Sequence, residues 1–295
     1  MQTLSRFLEL ADWAEELAIQ TSQFIATRIG QTSLQDEMSE LVAAERRRLG
    51  FDARIRSTWH SSDDAFDWWR HQIEDLGIFC FVMRLPTSEV RGASYWGKRG
   101  AAFILVNSED AEAATGRTFT LLHEYAHLML HENLVCDFRG SKNGAKIERF
   151  ANGFAAAMLL DRSELSASLK ELDATQFRSQ WGDAMLDRIR EPFRVSRDVV
   201  AIYLEELGLA PKGLYNERRG VWSKRKAFGR SAAGRVGRNL TAQRLRMVGN
   251  TLAKVLSSKQ AEATLSALDL AEVLDVKVER VPAVLQAFRH AGGHG

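Results

Sequence analysis

The sequence predicts an α+β protein in which helices dominate, and three observations carry that prediction. Apolar residues recur with helical spacing over 4–49, 64–76, 117–132, 145–160 and 195–207, two short runs at 78–82 and 102–106 are rich in β-formers, and charge is segregated along the chain. Between Lys212 and Lys259 stand 13 Lys or Arg and one acid, Glu217, although the whole chain of 295 residues has a net charge of only +2. The basic segment is therefore balanced by an acidic remainder.

Residues 1–50 read as a helical amino-terminal arm, with Leu4, Phe7, Leu8, Leu10, Trp13 and Leu17 mostly on one face and a second helical segment, 34–49, that ends at Gly50. Residues 51–211 form the central domain. It comprises the 64–76 helix, the run Ile78-Phe79-Cys80-Phe81-Val82, a glycine-containing loop, the strand 102–106, and then the helices. The loop Pro211-Lys212-Gly213 marks a boundary, and 212–295 read as a small, basic, mainly helical carboxy-terminal domain whose stretch 265–288 holds two or three short helices.

With 45% hydrophobic and 26% charged residues, the chain has enough apolar surface for a sizeable core, and 4 Pro, 21 Gly and 2 Cys exclude collagen, low-complexity and disulfide-scaffold classes. Apolar stretches such as 103–106 and 154–160 fall far short of the roughly 18–20 residues a membrane span needs. Glu9, Asp12, Glu15 and Glu16 interrupt any secretory signal, so a cytoplasmic location with no membrane partner is expected. In that compartment Cys80 and Cys136 are expected as free thiols, Cys80 in the core.

The most informative residues are His123-Glu124-Tyr125-Ala126-His127. An i, i+4 pair of histidines on one helical face can reach a single Zn²⁺, and the glutamate beside it can take a proton from a water that the ion has acidified. Such a site needs a third protein ligand and an open position. His131 continues the series, but eight helical residues, about 12 Å of rise, separate it from His123, so it is an outer or substrate-side candidate. Glu148 is the better third ligand. It is expected to open a helix whose small residues allow close packing, and Asn152 lies one turn along the same face as an outer candidate.

With the flanking Arg117-Thr118-Phe119-Thr120-Leu121-Leu122, the following Leu128-Met129-Leu130-His131, the Ala-Asn-x-Phe-Ala-Ala core within 148–160 and the strand Ile104-Leu105-Val106-Asn107, the chain resembles the ImmA/IrrE-type metallopeptidases. The resemblance covers roughly residues 75–162. It implies a zincin-like core with His123, His127 and Glu148 as zinc ligands and Glu124 as catalytic base. It further implies the stand-alone protease of a repressor–protease pair, acting on a helix-turn-helix repressor so that a stress-response, mobile-element or phage-defence operon is released. Where the family usually has Leu-Leu-Met-Pro, this chain has Leu159-Leu160-Asp161-Arg162.

Further expectations concern control and catalysis. Cys136, between the two motif helices, is a candidate inhibitory zinc ligand. In the basic segment, Arg218, Arg219, Lys224, Arg225, Lys226 and Arg230 are interleaved with Tyr215, Trp222 and Phe228, a pattern suited to following phosphates and stacking bases, which makes single-stranded DNA the candidate activator. The strand at 104–107 looks like the family's edge strand, against which the substrate strand is expected to lie, and His131 and Tyr95 are candidates for steadying the oxyanion. The competing reading is a non-hydrolytic nucleic-acid sensor with a structural zinc site.

Overall fold

Strand β3 (Ala102–Asn107) is buried at every position because it lies in the middle of a three-stranded sheet covered on both faces. This is seen in a computed structural model that describes residues 2–24, 26–84, 91–108, 113–131, 144–172, 181–218, 222 and 240–292. Strand β1 (Ile78–Met83) pairs parallel with β3, and β2 (Gly92–Trp96) pairs antiparallel along its other side, with Gly92 opposite Val106 and Trp96 opposite Ala102. The expectation that 104–107 forms an edge is corrected: those residues belong to the central strand, and among the described residues β2 is an outer strand.

Side-chain alternation divides the sheet into two faces. Cys80, Val82, Ile104 and Val106 join one core cluster, whereas Phe79, Phe81, Phe103 and Leu105 join another. The second face is covered by α1 (Gln2–Gln20), through Phe7, Ala11 and Ala14. Beside it lie helices from the end of the chain: α10 (Leu240–Leu256), α11 (Lys259–Thr264), α12 (Ala267–Leu274) and α13 (Val281–Gly292).

The first face carries α4 (Ser62–Glu74) and α5 (Ala113–Met129), which pack on each other and on the sheet. A capping box between Ser61 and Asp64 starts α4. Along α5 lies α6 (Gly144–Leu159), whose Ala151, Gly153, Ala155 and Ala156 are buried and let the two axes approach closely. Glu148 thus sits in the second turn of α6 rather than at its start. Next to α6 lie α2 (Met38–Arg48) and α9 (Arg197–Glu206), and a short α3 (Ala53–Ser57) links α2 to α4.

Arg46 of α2 holds the end of α6 by donating to the carbonyls of Ala157 at 2.8 Å and Met158 at 3.0 Å, and it pairs with Asp161 at 2.9 Å. Asp161, at the departure from the family pattern, also caps α7 (Arg162–Glu171) by accepting from the Ser163 and Glu164 amides. Helix α8 (Asp183–Phe193) follows and packs on α9.

A polar cluster anchors α10 on α4. Gly249 breaks α10 with φ of +78°, the Asn250 amide beyond it donates to Glu74 Oε1 at 3.0 Å, and Arg70 Nε lies 3.2 Å from the same oxygen. A Cβ at position 249 would stand 2.1 Å from Glu74 Oε1, so only glycine fits. Among the described residues, no helix is long and apolar enough to cross a membrane.

Candidate metal centre

Helix α5 presents two faces to two environments, and this makes the site. Leu121, Leu122, Tyr125, Ala126, Leu128 and Met129 are buried in the core, which fixes the helix's rotation and turns His123 and His127 together toward α6. Tyr125, inside the motif, donates to Glu45 Oε2 at 2.6 Å, and Arg48 holds that carboxylate at 3.1 Å, so α2 locks the motif helix from behind.

The two imidazole Nε2 atoms lie 3.0 Å apart, with Glu148 Oε2 3.5 Å from His123 Nε2 and Glu148 Oε1 3.6 Å from His127 Nε2. All three side chains offer a donor atom within 4.8 Å of the others. Tetrahedral coordination with metal–ligand bonds near 2.0–2.1 Å puts ligand atoms about 3.3 Å apart, so these separations bracket what one ion requires. The protonation states agree. Burial pushes the imidazoles down, His123 to about 4 and His127 to about 2, so both are neutral at pH 7 and carry the lone pair a metal takes.

Asn152, one turn beyond Glu148 on α6, places Oδ1 3.1 Å from His123 Nδ1. Accepting the Nδ1 proton leaves Nε2 as the free lone pair and sets the ring's orientation. Among the described residues, His127 Nδ1 is buried with no hydrogen-bond partner.

Glu124 lies against β2, with Oε1 and Cγ close under Gly92, and is 4% exposed. Burial lifts its carboxyl to about 8, opposed by the Ser94 hydroxyl, and Glu148 adds a smaller upward push. A carboxyl poised near neutrality beside a cluster that could hold a metal ion is suited to proton transfer. The sequence reading missed β2 altogether, because its glycine suggested a loop; the alternation of Ala93 and Tyr95 with Ser94 and Trp96 was the available signal.

Other expected residues lie elsewhere. Tyr95 points to the opposite face of the sheet, where its hydroxyl donates to Asp12 of α1 at 3.0 Å, so it is withdrawn as an oxyanion group. His131 ends α5 with φ of +54° and stacks on Trp96 at 4.9 Å with rings 5° from parallel. Trp222 is corrected as a base-stacking residue: it is 4% exposed, with its indole donating to Asp183 at 3.1 Å. Arg218 pairs with the same Asp183 at 3.8 Å. Cys136, Arg219, Lys224, Arg225, Lys226 and Arg230 fall outside the described residues. Cys80 is a free, buried cysteine, as its strand pattern indicated.

No curated protein and no solved structure matches the chain. Residues 73–205, which contain β1 to β3, both motif helices and most of α9, match the family model Peptidase M78, described as the IrrE N-terminal-like domain. The match spans the residues that gather His123, His127 and Glu148, so this part of the chain is similar to the IrrE N-terminal-like domain of a metallopeptidase family.

Proposed function

We propose that the protein is a zinc-dependent endopeptidase whose substrate is a helix-turn-helix transcriptional repressor, so that cleavage releases an operon of stress-response, mobile-element or phage-defence genes. The observation that carries the enzymatic part is the convergence of His123, His127 and Glu148 around one point with the buried Glu124 carboxyl beside it. A bound Zn²⁺ would make a water acidic enough to attack at neutral pH and would polarise the scissile carbonyl. The chain's own groups do the rest. Asn152 keeps His123 in the ligating tautomer, Glu124 takes the proton from the attacking water, and the same carboxyl passes it to the leaving amine nitrogen as the peptide bond breaks.

An extended substrate segment would add along β2, which has β3 on one side, and would so be drawn across the motif helix. The repressor rests on the family resemblance alone. Single-stranded DNA as activator rests on the charge excess between Lys212 and Lys259.

The test incubates the purified protein with the helix-turn-helix protein of its own operon, with and without single-stranded DNA, beside a Glu124→Gln variant. Wild type yields two fragments and Glu124→Gln none at equal zinc content, and stimulation by DNA weakens as salt rises. A wild type that binds zinc and DNA but never cleaves favours the sensor reading instead.

A further inference from the structure

Glycine inside a strand needs a reason, because it weakens the strand and leaves nothing to pack. Gly92 begins β2 in a register that any residue can hold: it pairs with Val106, and its φ is not among the positive values found at six other glycines. The backbone does not ask for glycine there; the space does. A Cβ on Gly92 would lie 2.6 Å from Thr120 Cγ2, 2.8 Å from Glu124 Oε1 and 2.9 Å from Glu124 Cγ, all closer than a carbon side chain tolerates. Two residues along the same face, Ser94 is fully buried with its hydroxyl beside the Glu124 carboxyl.

We propose that Gly92 is a positioning residue for Glu124: by carrying no side chain it lets β2 press its backbone against the base, and the narrow slot between β2 and α5 fixes where the carboxyl stands. The claim rests on the endopeptidase reading for its catalytic consequence, but not for its geometry.

The groups that a methyl would press on differ in how readily they yield. Thr120 is β-branched and buried on α5, so its Cγ2 has little rotamer freedom. The motif helix is locked by Tyr125 and Glu45 from behind. Glu124 ends in a rotatable carboxyl whose Oε2 has no hydrogen-bond partner among the described residues. The carboxyl is therefore what moves. None of the three atoms nearest the methyl belongs to His123, His127 or Glu148, so zinc binding is expected to be spared.

The experiment uses the full-length zinc-loaded protein with Gly92→Ala, Thr120→Ser and the double variant, read by zinc content, thermal midpoint, kcat and KM on the repressor, and crystal structures. Gly92→Ala keeps one zinc per chain and an unchanged KM, loses about 10²-fold in kcat, and shows the Glu124 carboxyl displaced while the three ligands superpose. Thr120→Ser removes the Cγ2 contact and leaves both Glu124 contacts, so in the double variant the thermal midpoint recovers and kcat does not. Recovery of kcat together with the midpoint, or a Glu124 carboxyl unmoved in Gly92→Ala, overturns the proposal. If the wild type does not cleave, the endopeptidase reading fails by itself, and the displacement of the carboxyl still decides the role of Gly92.

Discussion

Replacing Asn152 with alanine separates a metal-site role from a structural one, because the two effects differ in size. Its Oδ1 lies 3.1 Å from His123 Nδ1, and the contact fixes the tautomer that turns Nε2 toward His127 and Glu148. Losing such an outer partner of a ligating histidine costs about 10- to 100-fold in metal affinity, which is about 1.4–2.7 kcal/mol. In the metal-free protein the same substitution removes one hydrogen bond between neutral groups, about 1 kcal/mol, and offsets it by about 0.5 kcal/mol because alanine is the better helix former within α6. Asn152→Ala should therefore bind Zn²⁺ at least tenfold more weakly in a chelator competition, while the unfolding free energy of the metal-free protein from urea titration changes by less than about 1 kcal/mol. Asn152→Asp keeps the acceptor and restores affinity. Wild-type affinity in Asn152→Ala, or a loss of affinity that only tracks a loss of stability, would exclude a role for Asn152 at the metal site.

Three further outcomes are expected. Arg46→Met removes the charged donors from the Ala157 and Met158 carbonyls and the pair with Asp161, and should lower stability by about 3 kcal/mol in urea unfolding; an unchanged midpoint contradicts it. Glu74 is buried, and desolvation raises its carboxyl to about 7 against the pull of Arg70, so the folded state holds its proton where the unfolded chain has released it. Its contribution is complete below the unfolded value of 4.5 and fades as pH rises through 7, up to about 3 kcal/mol; Glu74→Gln should abolish that decline, and parallel pH curves for the two proteins would dismiss it. Tyr125→Phe leaves the Glu45 carboxylate short of a donor and should cost about 1–3 kcal/mol in thermal or urea unfolding, with no effect expected if the 2.6 Å contact is immaterial.

What was legible in the sequence is what depends on local spacing. The i, i+4 histidines, the small residues of α6 and the two apolar strands each declare themselves within a turn or a few residues, and the family resemblance they suggested is borne out over 73–205. Edges and partners are a matter of tertiary contact, and there the reading failed. Residues 104–107 look like any buried strand, and nothing local says that β2 flanks them on one side and β1 on the other. Tyr95 alternates with Ser94, and only knowledge of which face meets α5 tells which of the two approaches Glu124. Trp222 sits among cations in sequence and against Asp183 in space, since an indole gains more from burial than from serving a charged surface. Likewise α1 shares its core with helices that begin more than two hundred residues later.

Metal content decides whether His123, His127 and Glu148 form a metal centre. Elemental analysis of protein purified without chelators, repeated on Glu148→Ala and His127→Ala, should find close to one zinc per wild-type chain and almost none in either variant, with all three folded by circular dichroism. A folded wild type free of divalent metal and unable to take up added Zn²⁺ would contradict such a centre.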